Sequence, residues 1–225
     1  MRVLVTRPEA SAERSAARLA ALGHLPFTLP LFEPVHQPDA AIAALAEEAW
    51  SAVAVTSAEA VRALGRAAPL RLYAVGEASA KAARDAGFAD IVTGPGDGAG
   101  LAERIAADGV DRLLYLAGSP RMPDFEQRLA ACGVSFLSVD CYRMMPVALS
   151  DDEFAARLVD AAPDAVLLYS ARTADRFFAL GGAAFLPRQA FVVCLSAAVA
   201  AQVPAGIPVR IAAAPDEKKL FACLD

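Results

Sequence analysis

Two stretches of the chain are imperfect copies of each other: VAVTSAEAVRAL at Val53–Leu64 and VLLYSARTADRF at Val166–Phe177. In each copy a short apolar run predicts a buried strand, and apolar residues at helical spacing then predict a helix. A serine lies at the turn between them, Ser57 in the first copy and Ser170 in the second. The chain is therefore expected to contain two similar halves.

A second pair of segments extends this likeness. Leu72–Phe88 and Phe191–Gly206 share the same order of strand, turn and helix, which places Gly76 opposite Ser196 and Ser79 opposite Val199. Each half is thus predicted to hold two strand-turn-helix units. Such alternation is typical of a parallel sheet covered by helices on both faces.

The predicted fold class is α/β, with two doubly wound parallel-sheet domains. The N-terminal part offers only two strand patterns, at Val3–Thr6 and Leu25–Leu31, which are too few for a stable sheet. We therefore expect them to pair with the C-terminal part. The expected layout is a discontinuous domain of residues 1–34 and 147–225, an inserted domain of residues 35–146, and connectors at about 32–37 and 141–147.

Local signals support these boundaries. The segment Phe32–Pro38 carries Pro34 and Pro38, and a helix is predicted to follow over Ala40–Trp50. After the second connector, Ser150 followed by Glu153 is the pattern of a capping box at the start of a helix.

Composition excludes several classes of protein. A net charge of −5 and a pI near 5.1 disfavour broad nucleic-acid binding. No charged residue occurs between Arg188 and Arg210, but Gln202, two prolines and Gly206 break this run, so we expect no membrane span.

The cysteines and the N-terminus favour a reducing compartment. Four cysteines are scattered without a CxxC pair, so we expect buried free thiols and no metal site. The N-terminus has no signal-peptide layout, and the expected location is the cytoplasm.

Common catalytic motifs are missing from the sequence. The glycine-rich loop Gly94–Gly100 lacks the lysine of a phosphate-binding loop, and we expect no nucleotide site there. His24 and His36 lie near the predicted ends of elements, far from any nucleophile, which disfavours a catalytic triad. Both are interpreted as surface loop residues.

The sequence instead offers a set of predicted turns that lead from a strand into a helix. In an open parallel sheet such turns share the carboxyl edge, where free backbone N–H groups and helix dipoles can hold anions. Ordinary helix capping by serine or threonine is an equal explanation for any single turn. Six turns together favour a polyanionic ligand: Thr6-Arg7-Pro8, Thr56-Ser57, Gly76-Glu77, Gly118-Ser119, Ser170 and Ser196.

Five landmarks, in this order and spacing, give the chain a resemblance to the uroporphyrinogen-III synthase family over nearly its whole length. They are LVTRP at Leu4–Pro8, VTSAEAV at Val55–Val61, YAVGEASA at Tyr73–Ala80, LYLAG at Leu114–Gly118 and CYRMMP at Cys141–Pro146. The resemblance implies two flavodoxin-like domains joined by a two-stranded linker. It also implies cyclisation of hydroxymethylbilane to uroporphyrinogen III, with loss of water and inversion of ring D, in the cleft between the domains.

The resemblance further implies a small-molecule substrate with eight carboxylates, no cofactor and, by expectation, a monomer. Tyr142 occupies the family's linker tyrosine position and is the candidate catalytic proton donor, although a packing role for its ring is an alternative. Arg7 could instead pair with Glu9 or another surface carboxylate. The candidate substrate contacts are Arg7, Ser57, Gly76, Ser79, Gly118, Ser170 and Ser196.

The chain departs from the family pattern at two turns. Ser196-Ala197-Ala198-Val199 stands where a turn with two threonines is frequent, and Ser79 stands where threonine is frequent. Side-chain contacts at these turns are in doubt, whereas backbone donors are retained. Two other functions remain open from the sequence, a non-catalytic two-lobed binding protein and a glycosyltransferase.

Overall fold

The computed structural model describes residues 1–47 and 50–225, which form two compact units: residues 1–33 with 145–225 (unit 1), and residues 34–144 (unit 2). The strands are β1 Arg2–Val5, β2 Leu25–Thr28, β3 Phe32–His36, β4 Ala52–Val55, β5 Arg71–Ala74, β6 Ile91–Thr93, β7 Arg112–Ser119, β8 Ser135–Pro146, β9 Ala165–Leu168, β10 Phe191–Cys194 and β11 Val209–Ile211. The helices are α1 Glu9–Ala21, α2 Asp39–Leu45, α3 Ala58–Leu64, α4 Glu77–Asp85, α5 Gly98–Ala107, α6 Asp124–Ala131, α7 Asp151–Ala161, α8 Ala171–Ala179, α9 Gly182–Phe185, α10 Ala197–Ala200 and α11 Glu217–Phe221.

Unit 1 contains a five-stranded parallel sheet in the order β11-β10-β9-β1-β2. Numbered along the unit and read from β2, this is the order 2-1-3-4-5 of the flavodoxin-like fold. The central strands are apolar on both faces, because helices cover both sides of the sheet. Val3, Val5, Ala165 and Leu167 accordingly lie in one buried cluster with α1 and α11.

Unit 2 contains a six-stranded sheet in the order β3-β8-β7-β4-β5-β6. If β7 and β8 are matched with β1 and β2, then β4, β5 and β6 match β9, β10 and β11 in the same spatial order. The two units thus share one arrangement of strands that the chain visits in a permuted sequence. The strand-turn-helix copies predicted from the sequence are confirmed as β4-α3 with β9-α8, and β5-α4 with β10-α10.

The permutation also reveals a third pair of matching strands, β1 and β7. Leu4 of β1 pairs with Val166 of β9, and Leu114 of β7 pairs with the matching Val53 of β4. Leu4 therefore corresponds to Leu114, and Gly118 lies farther along β7, beyond the position at which β1 has ended.

The segment expected to be a connector begins with strand β3, which lies beside β8 at the edge of the six-stranded sheet. Pro34 is tolerated there because an edge strand has one row of backbone groups without partners. The Leu31 carbonyl accepts from Val147 N at 3.1 Å, and the Cys141 carbonyl accepts from Gln37 N at 2.8 Å. These two pairings show that the two segments run in opposite directions.

Several element boundaries differ from the prediction. The helix expected over Ala40–Trp50 is observed only over Asp39–Leu45, and its predicted residues 48–49 lie outside the described residues. The second strand ends at Thr28 rather than Leu31, and α9 was not predicted. The capping box is confirmed, since Ser150 Oγ accepts from Glu153 N and the Glu153 carboxylate accepts from Ser150 N.

All four cysteines are free thiols, as predicted, but only Cys141 and Cys194 are buried, and the other two are half-buried. In the part of the chain that the structure describes, no helix combines the length and the apolar character needed to cross a membrane.

Candidate functional site

The strand order identifies one turn pair in each unit as the place where a ligand would bind. In a doubly wound sheet, ligands bind beyond the carboxyl ends of the two strands where the direction of winding reverses. In unit 1 these strands are β1 and β9, whose turns carry Arg7 and Ser170. In unit 2 they are β7 and β4, which carry Gly118 and Ser57. Four of the predicted site residues therefore lie at these two switch points.

Ser57 and Ser170 have the same local structure. Each precedes a helix with extended backbone, at φ −149° and −148° respectively. Ser57 Oγ accepts from Glu59 N at 3.1 Å, and Ser170 Oγ accepts from Thr173 N at 3.1 Å. Because these hydroxyls already cap their helices, an anion at either turn would be held mainly by the remaining backbone N–H groups.

Tyr142 reaches the unit 2 switch point because β8 contains a bulge. Opposite β7, Ala117 pairs with Asp140 but Gly118 pairs with Tyr142, which leaves Cys141 as the extra residue. Strict alternation would point Cys141 and Tyr142 to opposite faces of the sheet. Instead, both pack against the buried cluster that includes α3. The bulge therefore turns the tyrosine toward Ser57.

Gly118 provides the space that the Tyr142 ring occupies. A Cβ atom at Gly118 would lie 2.1 Å from Tyr142 Cζ and 2.5 Å from Tyr142 Oη, far inside van der Waals contact. The ring therefore covers the backbone of β7 directly. At this position glycine is required by close approach, since its φ is not positive.

The surroundings of Tyr142 keep its phenol protonated. Burial is the largest influence and raises the pKa above the usual value near 10, and the charge of Glu59 raises it further. The nearby Ser57 hydroxyl lowers the pKa, but this effect is smaller than that of burial. Glu59 is held by Arg62 and lies 3.4 Å from His36 Nε2. Tyr142 is thus a neutral O–H donor at the carboxyl edge of unit 2.

The other face of the same switch point carries a second polar group. Thr56 Oγ1 and Tyr115 Oη are joined at 2.7 Å, and burial raises the pKa of Tyr115. Nearby, Arg121 bridges the carboxylates of Glu126 and Asp140. The ion pairs of Arg121 therefore attach the segment that follows β7 to α6 and to β8.

In unit 1 the predicted site residue Arg7 belongs to a cluster around Glu217. Arg7 Nη1 donates to Glu217 Oε1 at 2.9 Å, and its guanidinium lies 4.5 Å from the centre of the Tyr169 ring. Tyr169 Oη also donates to Glu217 Oε1, at 3.0 Å, and Ser15 and Arg18 contact the same carboxylate. The partner of Arg7 is thus a distant carboxylate rather than Glu9.

This cluster could not be read from the sequence, because Arg7 and Glu217 lie 210 residues apart. Burial, followed by the charge of Glu217, raises the pKa of Tyr169 far above its usual value. The tyrosine therefore stays neutral and donates to the carboxylate.

Three predicted site residues lie one strand away from the switch points. Gly76 precedes α4 and Ser196 precedes α10, neither with a side-chain capping bond. Ser79 is only 3% exposed, and its N–H donates to the Gly76 carbonyl at 3.1 Å. A substrate would therefore reach the backbone at Gly76 more readily than the Ser79 side chain.

The expectation of a helix directly after Gly118-Ser119 is wrong. β7 continues through Ser119, and α6 begins only at Asp124. The long pairing of β7 with β8 explains the difference, because it extends the strand through both residues. Gly118 thus contributes through the space it leaves for Tyr142 rather than through a helix N-terminus.

The surface-loop interpretation of the histidines is confirmed in part. His24 lies in the loop between α1 and β2, but it is half-buried and its Nδ1 is buried without a hydrogen-bond partner. His36 is exposed, but it ends β3 rather than lying in a loop, and its Nε2 is beside Glu59. Across residues 1–47 and 50–225, no cluster of three or more His, Cys, Asp or Glu side chains is arranged to hold a metal ion.

Comparison with known proteins decides the family. The family model described as uroporphyrinogen-III synthase HemD matches residues 13–222. The chain belongs to the uroporphyrinogen-III synthase family. This membership makes it a cyclising lyase of tetrapyrrole biosynthesis, as the resemblance implied.

Solved structures show the same two-domain α/β fold. Uroporphyrinogen-III synthetase from Helicobacter pylori is 18% identical with a TM-score of 0.64, over 99% of this chain and 97% of the other. A mutant uroporphyrinogen III synthase from the extremely thermophilic bacterium Thermus thermophilus is 20% identical with a TM-score of 0.54, over 99% and 95%. A search of curated proteins found no match.

Proposed function

We propose that the chain closes hydroxymethylbilane into uroporphyrinogen III and that Tyr142 assists departure of the hydroxyl group. The single observation that carries the role of Tyr142 is its placement by the β8 bulge over Gly118 and beside Ser57. A buried phenol with a raised pKa is a proton donor throughout the neutral range. The residues of unit 1 and unit 2 that face the two switch points would hold the substrate carboxylates.

The proposed step balances without a cofactor. The Tyr142 O–H gives its proton to the hydroxymethyl oxygen, the C–O bond breaks, and water leaves as electrons from the pyrrole nitrogen form an azafulvene. The substituted α-carbon of ring D then attacks this methylene carbon and forms a spiro intermediate. The bond from that α-carbon to the methylene of ring C breaks and leaves a second azafulvene on ring C, whose methylene is attacked by the free α-carbon of ring D, so that ring D is inverted. The proton lost when the last pyrrole becomes aromatic restores the phenol. A positioned acid of this kind contributes about 10²- to 10⁴-fold to a rate.

Substrate carboxylates need many donors rather than one strong cation. The turn after β4 has the Ser57 hydroxyl and the first N–H groups of α3, and the turn after β9 has the equivalent groups of α8. Backbone N–H groups at helix starts suit carboxylates because the helix dipole is positive there. Arg7 retains a guanidinium that is 30% exposed although one edge is bound to Glu217. These groups fix the conformation from which ring closure proceeds.

Three further proposals concern the molecule in the cell. β3 and the end of β8 form the two-stranded linker, the protein acts as a monomer in the cytoplasm, and no cofactor is needed. Antiparallel pairing of the two segments supports the linker, and four free thiols support the reducing compartment. Light scattering during gel filtration should give a mass near 23.4 kDa, and twice that mass would contradict the monomer.

The activity is tested with freshly generated hydroxymethylbilane and separation of the product isomers. We expect the purified protein, without added metal or cofactor, to produce the type III isomer far above the spontaneous rate. Formation of only the uninverted type I isomer at the spontaneous rate would refute the proposal. Tight substrate binding without turnover would instead favour the binding-protein alternative.

A further inference from the structure

We propose that Arg172 and Arg176, held on the ring of Phe32, form a binding subsite for one carboxylate arm of the tetrapyrrole. The inference rests on the proposed function for the identity of the ligand, but the geometry of the subsite lies wholly within unit 1. A cavity of about 310 Å³ is lined by Phe32, Pro146, Arg172, Asp175, Arg176 and Ala179.

Both guanidinium groups converge on one aromatic ring. Arg172 Cζ lies 4.7 Å from the centre of the Phe32 ring, and Arg176 Cζ lies 5.9 Å from it. Arg176 Nη2 also donates to the Val147 carbonyl at 2.5 Å. Stacking on an aromatic face orients a guanidinium and leaves its N–H edge available for a carboxylate. The two cations are thus held in place before any ligand arrives.

The positive charges of this cavity are not neutralised by the protein. Within residues 1–47 and 50–225, neither Arg172 nor Arg176 forms an ion pair with a carboxylate. Arg176 Nε is buried without a hydrogen-bond partner. The one acid among the lining residues is Asp175, which is exposed. The cavity therefore carries two cations against one anion, in a chain whose net charge is −5.

The size and position of the cavity suit an acetate or propionate arm. The cavity is open to solvent and has about 310 Å³ of space, which is enough for such a short arm. Arg172 lies in the first turn of α8, two residues after Ser170 at the unit 1 switch point. A substrate bound at Ser170 would have a neighbouring carboxylate within this unit to place on the two arginines.

The test compares Arg172→Gln, Arg172→Lys and Asp175→Asn with Arg188→Gln, an exposed arginine of the same unit outside the cavity lining. Binding of uroporphyrin, which carries eight carboxylates, is followed by protein fluorescence quenching, and KM and kcat are measured with hydroxymethylbilane. We expect R172Q to raise both Kd and KM about tenfold with kcat little changed. This pattern is expected when a lost contact bound the substrate and the transition state equally. R172K should show a smaller increase.

Asp175→Asn separates the proposal from misfolding, because a misfolded variant would lose binding, whereas D175N is expected to bind uroporphyrin more tightly. Removing the one acid of the cavity wall should lower Kd about two- to threefold, and this gain should shrink at high salt. R188Q should stay within about twofold of the original protein. Unchanged Kd in R172Q, or equal losses in R172Q and R188Q, would overturn the subsite.

The two proposals can fail separately. If the original protein forms no type III isomer but R172Q and D175N still change uroporphyrin binding in opposite directions, the subsite stands and the proposed function fails. If type III isomer forms normally and both variants bind like the original protein, only the subsite fails.

Discussion

At the scale of single residues, the missing side chain of Gly118 is what lets Tyr142 face the unit 2 switch point. The Tyr142 ring fills the volume where a Cβ would lie, at 2.1 Å from its Cζ. The Tyr142 ring is oriented by packing on the bare backbone of Gly118, and the nearby Ser57 hydroxyl lowers the pKa of its phenol.

We therefore expect Gly118→Ala to lower turnover about a hundredfold and to destabilise the fold by about 1–3 kcal/mol, the usual cost of overpacking. The measurement is kcat together with urea unfolding. In a Tyr142→Ala background the clash is absent, so adding G118A should cost less than about 0.5 kcal/mol. Equal destabilisation in both backgrounds would show that the two residues are not coupled.

The sequence predicted some site residues and missed others for a clear physical reason. Ser57, Ser170 and Tyr142 were predicted because local patterns or a family landmark mark them. The Glu217 cluster and the Phe32 cavity were missed, because each joins residues that are distant in sequence and carries no local signal. From the sequence alone, an arginine on a helix, such as Arg172, cannot be distinguished from an ordinary surface residue.

At the scale of elements, capping and strand irregularity place the reactive groups. Both switch-point serines begin helices, and a single extra residue in β8 turns Tyr142 to the α3 side. The strand-turn-helix order was predictable, since its apolar periodicity is strong. The bulge was not, because one extra residue in a strand leaves the hydrophobic pattern nearly unchanged.

Ser57 and Ser150 are both helix caps, but only Ser57 lies near Tyr142, so the pair distinguishes an effect on stability from an effect on catalysis. Ser57→Ala and Ser150→Ala should each cost about 1 kcal/mol of unfolding free energy, since each removes an N-cap. Only S57A should also lower kcat, about three- to tenfold, because only Ser57 lies close enough to Tyr142 to influence the pKa of its phenol. Urea unfolding and initial rates check both values. An equal effect of the two variants on kcat would show that Ser57 has no role beyond capping.

At the scale of the whole molecule, one arrangement of strands is used twice with permuted connections. The sequence copies of β4-α3 and β9-α8 predicted two similar halves, and the strand orders add a third matching pair, the strands β1 and β7. In unit 1, β1 comes before β9 and β10 along the chain, whereas in unit 2, β7 comes after β4 and β5. Both units bury their central strands, β4 and β9, completely, together with protonated thiol and phenol groups.

These buried groups predict loss of stability in alkaline solution. Burial raises the pKa of Cys141 and of Cys194 from 9.0 to about 11, so the folded thiols stay neutral where the unfolded ones ionise. The folded state should keep its full stability below pH 9 and lose it as pH rises toward 11. We expect a loss of about 1–2 kcal/mol for each thiol, less than the full shift because solvent screens the charge.

Urea unfolding in reductant at pH 7.5, 9 and 10.5 measures this loss. Cys194→Ala should make the pH dependence shallower, whereas Cys132→Ala, at a half-buried site, serves as the control. A pH dependence that is the same in all three proteins would contradict the contribution of Cys194.

The role of Tyr142 is tested most directly by the rate of type III isomer formation in Tyr142→Phe. Phenylalanine keeps the ring over Gly118 and removes only the O–H, so we expect kcat to fall about a hundredfold with KM and thermal stability nearly unchanged. Tyr73→Phe is the matched control, because the Tyr73 hydroxyl donates to Asp108 at 2.9 Å and contacts no residue of the site. A Y142F enzyme that forms the type III isomer as fast as Y73F would contradict proton donation by Tyr142.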